Sequence, residues 1–297
     1  MGSRQVKCID QVITDRFAAY HGDACEVVKG LPDRSIDYGI WSPPFSSLFC
    51  YSASPRDLGN SHDYEEFFTH HDYLVRELLR VVKPGRLISF HCMLIPSSKV
   101  MHGYIGLQDF RGDLIRAFAK HGWIHHSEVV IWKDPVTAMQ RTKALGLLHK
   151  TVRENASMAR QVIPDYLVTM RAPGEVPREE RVTHDPIDYP VSLWQRIASP
   201  IWMDIVPNDT LQRESAREDE DERHICPLQL EVIRRAIRLW TNPGDTVLSP
   251  FGGIGSEAYV ALQEARKAVT VELKDSYFAQ LVKNLHAASQ TQHGLFA

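Results

Sequence analysis

Two short stretches of this chain hold residue types whose spacing could do chemistry. The first is Trp41-Ser42-Pro43-Pro44-Phe45. Consecutive prolines fix φ and remove backbone donors, so they hold a short hydroxyl, a carbonyl and an aromatic ring rigidly. The Ser42 hydroxyl and the Pro43 carbonyl can each accept from an exocyclic NH₂, while Phe45 stacks on the ring that carries it. The second stretch is Ser249-Pro250-Phe251-Gly252-Gly253-Ile254-Gly255-Ser256, followed 17 residues after Gly255 by Glu272. Gly253 and Gly255 let the backbone pass close to a ligand at a helix N-terminus. An acid at that distance can accept both hydroxyls of a ribose. Ala258 stands where a dinucleotide fingerprint would place its third glycine, so turn and acid together point to a nucleoside cofactor.

The elements that must position these residues alternate along the chain. Ser35 to Trp41 reads as a strand stopped by Pro43-Pro44, which puts the first motif at a carboxyl end, where open α/β sheets bind ligands. Residues 71–82 carry apolar side chains at Leu74, Val75, Leu78, Leu79 and Val82, the spacing of an amphipathic helix, and Lys83-Pro84-Gly85 is expected to end it. A strand over 86–90, a helix over 114–121 and a strand over 126–132 follow. After an irregular stretch, the spacing predicts a helix over 228–240, a strand over 246–249, a helix over 257–265, a strand over 268–272 and a last helix over 276–288. Such alternation predicts an α/β fold, a doubly wound and mostly parallel sheet with helices on both faces. Residues 134–223, poor in periodicity and rich in proline, are expected to be an inserted region between a first half, 1–133, and a second, 224–297.

Composition narrows the class. With 43% hydrophobic and 24% charged residues over 297 positions, the chain is neither disordered, coiled coil nor collagen-like. A net charge of −3 argues at first sight against a nucleic-acid binder, but the charge is unevenly spread. Glu214 to Arg223 holds six acids against two bases, whereas Lys133 to Arg171 holds seven bases against three acids. The five cysteines are far apart and unpaired in spacing, as in a cytoplasmic protein with reduced thiols. No metal site is expected, since the doublets His70-His71 and His125-His126 point apart on any regular element. Nor is a membrane span or a signal peptide, for want of an apolar run.

Ser-Pro-Pro-Phe and Phe-x-Gly-x-Gly, in that order, resemble the S-adenosylmethionine-dependent DNA methyltransferases that act on exocyclic amines, specifically their permuted β group. Gly22-Asp23-Ala24, Leu31 to Asp37, Val82-Lys83-Pro84-Gly85 and His224 to Leu228 resemble the flanking text of that family. The likeness covers about residues 20–133 and 224–286. It implies a Rossmann-like methyltransferase sheet with an inserted target-recognition region. It also implies S-adenosylmethionine as cofactor, bound by Asp23, Ala24, Cys226, Pro227, Ser249, Phe251, Gly253, Gly255, Ser256 and Glu272. Of these, Asp23 would accept from the adenine amine, Glu272 would hold the ribose, and Cys226 and Pro227 would wall the methionine end. Ser42, Pro43, Pro44 and Phe45 would hold a base flipped out of duplex DNA, without a separate general base. One departure is Ser249, where the family usually has Asp.

Serine at position 42 goes more often with N4-cytosine in this family, yet a pocket formed by Trp41 and Phe45 could take a purine, so N6-adenine stays equally open. Residues 46–60 would form a loop closing over the base. Arg141, Lys143, Lys150, Arg153 and Arg160 would contact double-stranded DNA. The resemblance further implies a homodimer, and leaves open whether a cognate restriction endonuclease accompanies the enzyme. An RNA methyltransferase, or a cofactor-binding regulator without activity, are the rival readings.

Overall fold

The computed structural model describes residues 5–44, 64–97, 99–142, 147, 149–211 and 227–291, with the side chains at 101, 140–142, 158 and 291 left aside. Ile36–Trp41 (β3) is buried at all six positions, as befits a strand covered by helices on both faces. Its parallel neighbours are Val82–Met93 (β4) on one side and Thr246–Ser249 (β10) on the other. Beyond β10 lie Lys267–Glu272 (β11) and Phe17–His21 (β2), both parallel, and then Asp10–Ile13 (β1), antiparallel at the edge. Beyond β4, Asp165–Arg171 (β8) runs antiparallel, followed by Ile124–Ile131 (β7) and the short Ile201–Trp202 (β9). The order β1-β2-β11-β10-β3-β4-β8-β7-β9 makes a mostly parallel Rossmann-like sheet. A separate hairpin pairs Ile95–Ser97 (β5) with Gly106–Gln108 (β6).

Helices bury one apolar stripe each against this sheet. Ala24–Gly30 (α1), Tyr64–Val81 (α2) and Phe110–Lys120 (α4) enclose one core with Trp41, Ile88 and Phe90. Val191–Ile197 (α7), Leu230–Trp240 (α8), Ser256–Gln263 (α9) and Asp275–Thr291 (α10) enclose the other with Tyr38, Ile40 and Val247. On α8 the buried stripe includes Val232, Ile233, Ala236 and Ile237, and each large aliphatic there contributes about 1.5–3 kcal/mol. Lys99–His102 (α3), Pro135–Thr142 (α5) and His149–Asn155 (α6) lie outside these layers. No helix among the described residues is long and apolar enough to cross a membrane.

Connections from β3 lead through α2 to β4, while those from β10 lead through α9 to β11 in the opposite direction. The strand order therefore reverses between β3 and β10, and the crevice at their carboxyl ends is the ligand site such sheets provide.

Several boundaries differ from the pattern in the sequence. Helix α2 begins at Tyr64, and Lys83-Pro84-Gly85 lies inside β4 rather than before it. Helix α4 begins at Phe110, because Asp109 caps it by accepting from the Gly112 amide at 3.0 Å. Strands β1 and β2 were not legible at all. The described residues between 134 and 211 divide into three parts: α5 and α6 come first, β8 then enters the main sheet between β4 and β7, and α7 and β9 follow, with β9 at the far edge. The apolar run Leu167-Val168-Thr169-Met170 within β8 is buried, but charged residues at both ends, Asp165 and Arg171, disguise it.

Candidate active site

Five parallel strands, β2, β11, β10, β3 and β4, bring their carboxyl ends to one edge. After β10 the chain turns through Pro250 to Gly255 into α9. Gly253 and Gly255 have φ of 53° and 92°, in the left-handed region that costs other residues about 1–2 kcal/mol. Gly252 is required for packing, since a Cβ there would lie 2.3 Å from Thr270 Oγ1. A Cβ on Gly253 would meet nothing within 4 Å, so the turn opens outward at that point. Glu272, at the end of β11, accepts from the Gly253 amide at 2.7 Å with Oε2 and from the Leu273 and Lys274 amides at 2.9 and 2.8 Å with Oε1. The acid expected to hold a ribose thus also braces the glycine turn. A carboxylate offers about four acceptor sites, and these amides take three of them.

Of the remaining expected cofactor residues, Ser249, Phe251 and Ser256 belong to this turn and its flanks, and Asp23 follows the neighbouring strand β2 at the same edge. Asp23 follows β2 and caps α1, its Oδ1 accepting from the Glu26 amide at 3.0 Å, with Ala24 as first helical residue. Ser256 is buried at the start of α9, and Phe251 packs half-buried on the first core. Ser249 is buried, and its Oγ has no hydrogen-bond partner among the described residues. Pro227 is half-buried ahead of α8. Cys226 lies outside the described residues, as do Phe45 and the loop 46–60. An outward-opening glycine turn, an acid beside it and an unpartnered buried hydroxyl fit a nucleoside with a polar tail.

Next to this turn, β3 delivers Ser42, Pro43 and Pro44. Trp41 does not line a base pocket as expected. It is fully buried and packs on Phe118, ring centroids 6.3 Å apart, because alternation along β3 sends it into the core. Ser42 faces the neighbouring strand, with Oγ 3.1 Å from His91 Nδ1. His91 Nε2 lies 3.2 Å from Asp165 Oδ2, and Lys133 Nζ donates to Asp165 Oδ1 at 2.6 Å. Burial by itself pushes the Asp165 carboxyl upward, but His91 and Lys133 outweigh it and hold the group below its ordinary value. Deeper in the sheet Tyr38 donates to Ser89 at 2.6 Å, and Ser89 shares a 2.8 Å bond with Thr169. These bonds cross the same three strands as Ser42, His91 and Asp165 and hold them side by side.

His91, Asp165 and Lys133 were not singled out from the sequence. His91 follows a readable strand and stands at the same sheet edge as Ser42, so the rule that selected Ser42 could have selected it. Asp165 offered no such signal, because an antiparallel strand brings its amino end to that edge.

The basic residues of the middle segment separate in space. Lys133 pairs with Asp165, and Arg171 ends β8. Arg160 donates to the Gly106 carbonyl at 3.2 Å, tying its segment to the β5–β6 hairpin. Lys150 and Arg153 project from the exposed helix α6, Lys150 3.7 Å from Glu154. Lys143 and the side chain of Arg141 lie outside what is described.

A family model described as DNA methylase matches residues 36–283. The chain is similar to the DNA adenine methyltransferase YhdJ of Escherichia coli K12, 34% identical over 282 residues, which cover 91% of this chain and 82% of that protein. It is also similar to the type II methyltransferase M.BglII of Bacillus subtilis, 23% identical over 263 residues covering 87% of this chain. It spans 66% of the length of that relative. Among solved structures, the fold resembles the DNA modification methylase TTHA0409 of Thermus thermophilus complexed with S-adenosyl-L-methionine. The TM-score is 0.69 at 22% identity, covering 93% of this chain and 95% of the other.

Proposed function

The chain belongs to the DNA methylase family, and on that premise we propose that it transfers a methyl group from S-adenosylmethionine to the exocyclic amine of adenine or cytosine in duplex DNA. The observation that carries this reading is the adjacency of two motifs. The open glycine turn and Ser42-Pro43-Pro44 leave the carboxyl ends of neighbouring strands, β10 and β3, on either side of the point where strand order reverses. The cofactor supplies a methyl group made electrophilic by its sulfonium. Gly253, Gly255 and Glu272 would hold its sugar, Asp23 its adenine amine, and Phe251 and Pro227 its flanks.

The protein's own part is positioning. The Ser42 hydroxyl and the Pro43 carbonyl accept from the two N–H bonds of the target amine, which bends its nitrogen toward tetrahedral geometry and exposes its lone pair. An amine paired inside a duplex cannot be reached there, so the base is taken out of the stack. Ser42 favours cytosine by family habit, whereas YhdJ is named for adenine. Both amines present the same donors to Ser42. The exposed α6, with Lys150 and Arg153, is assigned to the DNA backbone.

Incubation of the protein with radiolabelled cofactor and long duplex DNA is expected to label the DNA. Nucleoside digestion then identifies N6-methyladenine or N4-methylcytosine, and sequencing maps the site. Label entering RNA alone would replace this reading with the RNA enzyme. Cofactor and DNA binding with no label in any nucleic acid would leave a regulator.

A further inference from the structure

Ser42 can accept from an amine only if its own proton points elsewhere. A serine hydroxyl is both donor and acceptor and rotates to suit its neighbours. If its proton faced the target nitrogen, it would occupy the lone pair that has to attack. The structure supplies a partner for that proton, since Ser42 Oγ and His91 Nδ1 are 3.1 Å apart. Which of the two donates depends on the imidazole. A neutral ring protonated at Nε2 accepts at Nδ1, whereas the other tautomer donates there. On the far side of the ring stands Asp165, 3.2 Å from Nε2 and held by Lys133 at 2.6 Å. A carboxylate only accepts, so of the two neutral tautomers its presence selects the Nε2–H form. The 3.2 Å approach to Asp165 is an ion-pair distance that does not meet hydrogen-bond geometry in this structure, as is common at such sites before substrate binds.

We infer that Asp165 sets the tautomer of His91, and that His91 thereby locks Ser42 as a hydrogen-bond acceptor, making Ser42 a selector for bases with an amine rather than a carbonyl at the reacting position. His91 is a positioning residue that acts through Ser42. This rests on the methyltransferase reading but adds a specificity device to it. Adenine and cytosine present an N–H to a locked acceptor. Their deaminated counterparts, hypoxanthine and uracil, present an oxygen that faces another acceptor and leaves both unpaired. Asp165 reaches the site only because β8 runs antiparallel beside β4, with Asp165 opposite Met93 at the carboxyl edge.

Three measurements test the inference. Long-range proton–nitrogen NMR on the cofactor-free protein, with His91 assigned by comparison with His91→Asn, should show a neutral ring protonated at Nε2. A ring protonated at Nδ1 would overturn it. Duplexes in which the mapped target base is replaced by hypoxanthine or uracil should bind the wild type more weakly than the amine-bearing duplex. Asp165→Asn, which can donate to Nε2 and free the serine proton, should narrow that gap. An unchanged gap in a folded Asp165→Asn protein overturns the device. Finally, His91→Phe should lower kcat about ten- to hundredfold, the scale seen when a group that orients a functional side chain is lost. His91→Asn, which keeps an acceptor near Ser42, should recover part of it. Neither change should alter kcat further in a Ser42→Ala background, and additive losses there would show that His91 does not act through Ser42. Wild-type activity with unaffected variants removes the lock alone, whereas a wild type that methylates no nucleic acid removes the methyltransferase reading as well.

Discussion

At the amino edge of strands β3, β4 and β10, charged residues close on one another. Lys83 lies 2.7 Å from Asp37 Oδ1, Arg86 lies 3.1 Å from Asp245 and donates to the Glu180 carbonyl at 2.7 Å, and the Thr246 amide bonds Asp37 at 2.9 Å. At the carboxyl edge of the same strands, Ser42, His91 and Asp165 form a line that ends at a side chain able to accept more. The space beside Gly253 is likewise open. The same strand register that stitches one edge shut presents acceptors at the other. Parallel strands make this division possible, since all their carboxyl ends, and the turns that follow, fall on one side.

The difference between the edges can be broken from either side. The largest expected effect is on the closed edge: Arg86→Ala removes a buried guanidinium that faces buried Asp37 as well as half-buried Asp245, leaves Asp37 to Lys83 alone, and should cost about 3–5 kcal/mol of stability. Methyl transfer per folded molecule should be unchanged, as measured by denaturant unfolding alongside turnover. A loss of turnover in the folded fraction would erase the distinction. Ser42→Ala should do the reverse, lowering kcat about 10²–10³-fold with the melting temperature and cofactor Kd unchanged. Gly255→Ala should cost about 1–2 kcal/mol for its left-handed φ, with added crowding from Leu281 at 3.1 Å, and should weaken cofactor binding by calorimetry.

The smallest effect separates two carboxylates by pH. Asp165 sits below its ordinary value despite burial, so its contribution is complete above the unfolded carboxylate pKa of about 3.9 and is lost as pH falls through the folded value. Asp245 is raised, chiefly by burial, so its contribution is complete below the unfolded value and is lost as pH rises through the folded one. Asp165→Asn should therefore flatten acid destabilisation and Asp245→Asn should steepen it, as read from unfolding free energies between about pH 5 and pH 2. Equal slopes in both variants would contradict the assigned directions.

The elements around the glycine turn were legible because they are local. A strand, a glycine turn and a helix follow one another without interruption from Thr246 to Gln263, and Glu272 ends the next strand. Ser42 was legible for the same reason, as the residue after a buried strand. Trp41 was misread because its side-chain direction depends on which face of β3 each position takes. The charge counted along the chain from Lys133 to Arg171 does not say where these residues lie. In space Lys133 neutralises Asp165, Arg160 holds a loop carbonyl and Arg171 belongs to the sheet.

By itself the order of residues determined the fold class, the two motifs and the family they resemble. Each of these rests on periodicity or on neighbours within a few positions. Only the tertiary structure decided that His91 and Asp165 back Ser42, residues 49 and 123 positions from it. That arrangement depends on which strands lie side by side and in which direction, and strand pairing is settled by the burial of both faces of the sheet rather than by any local pattern.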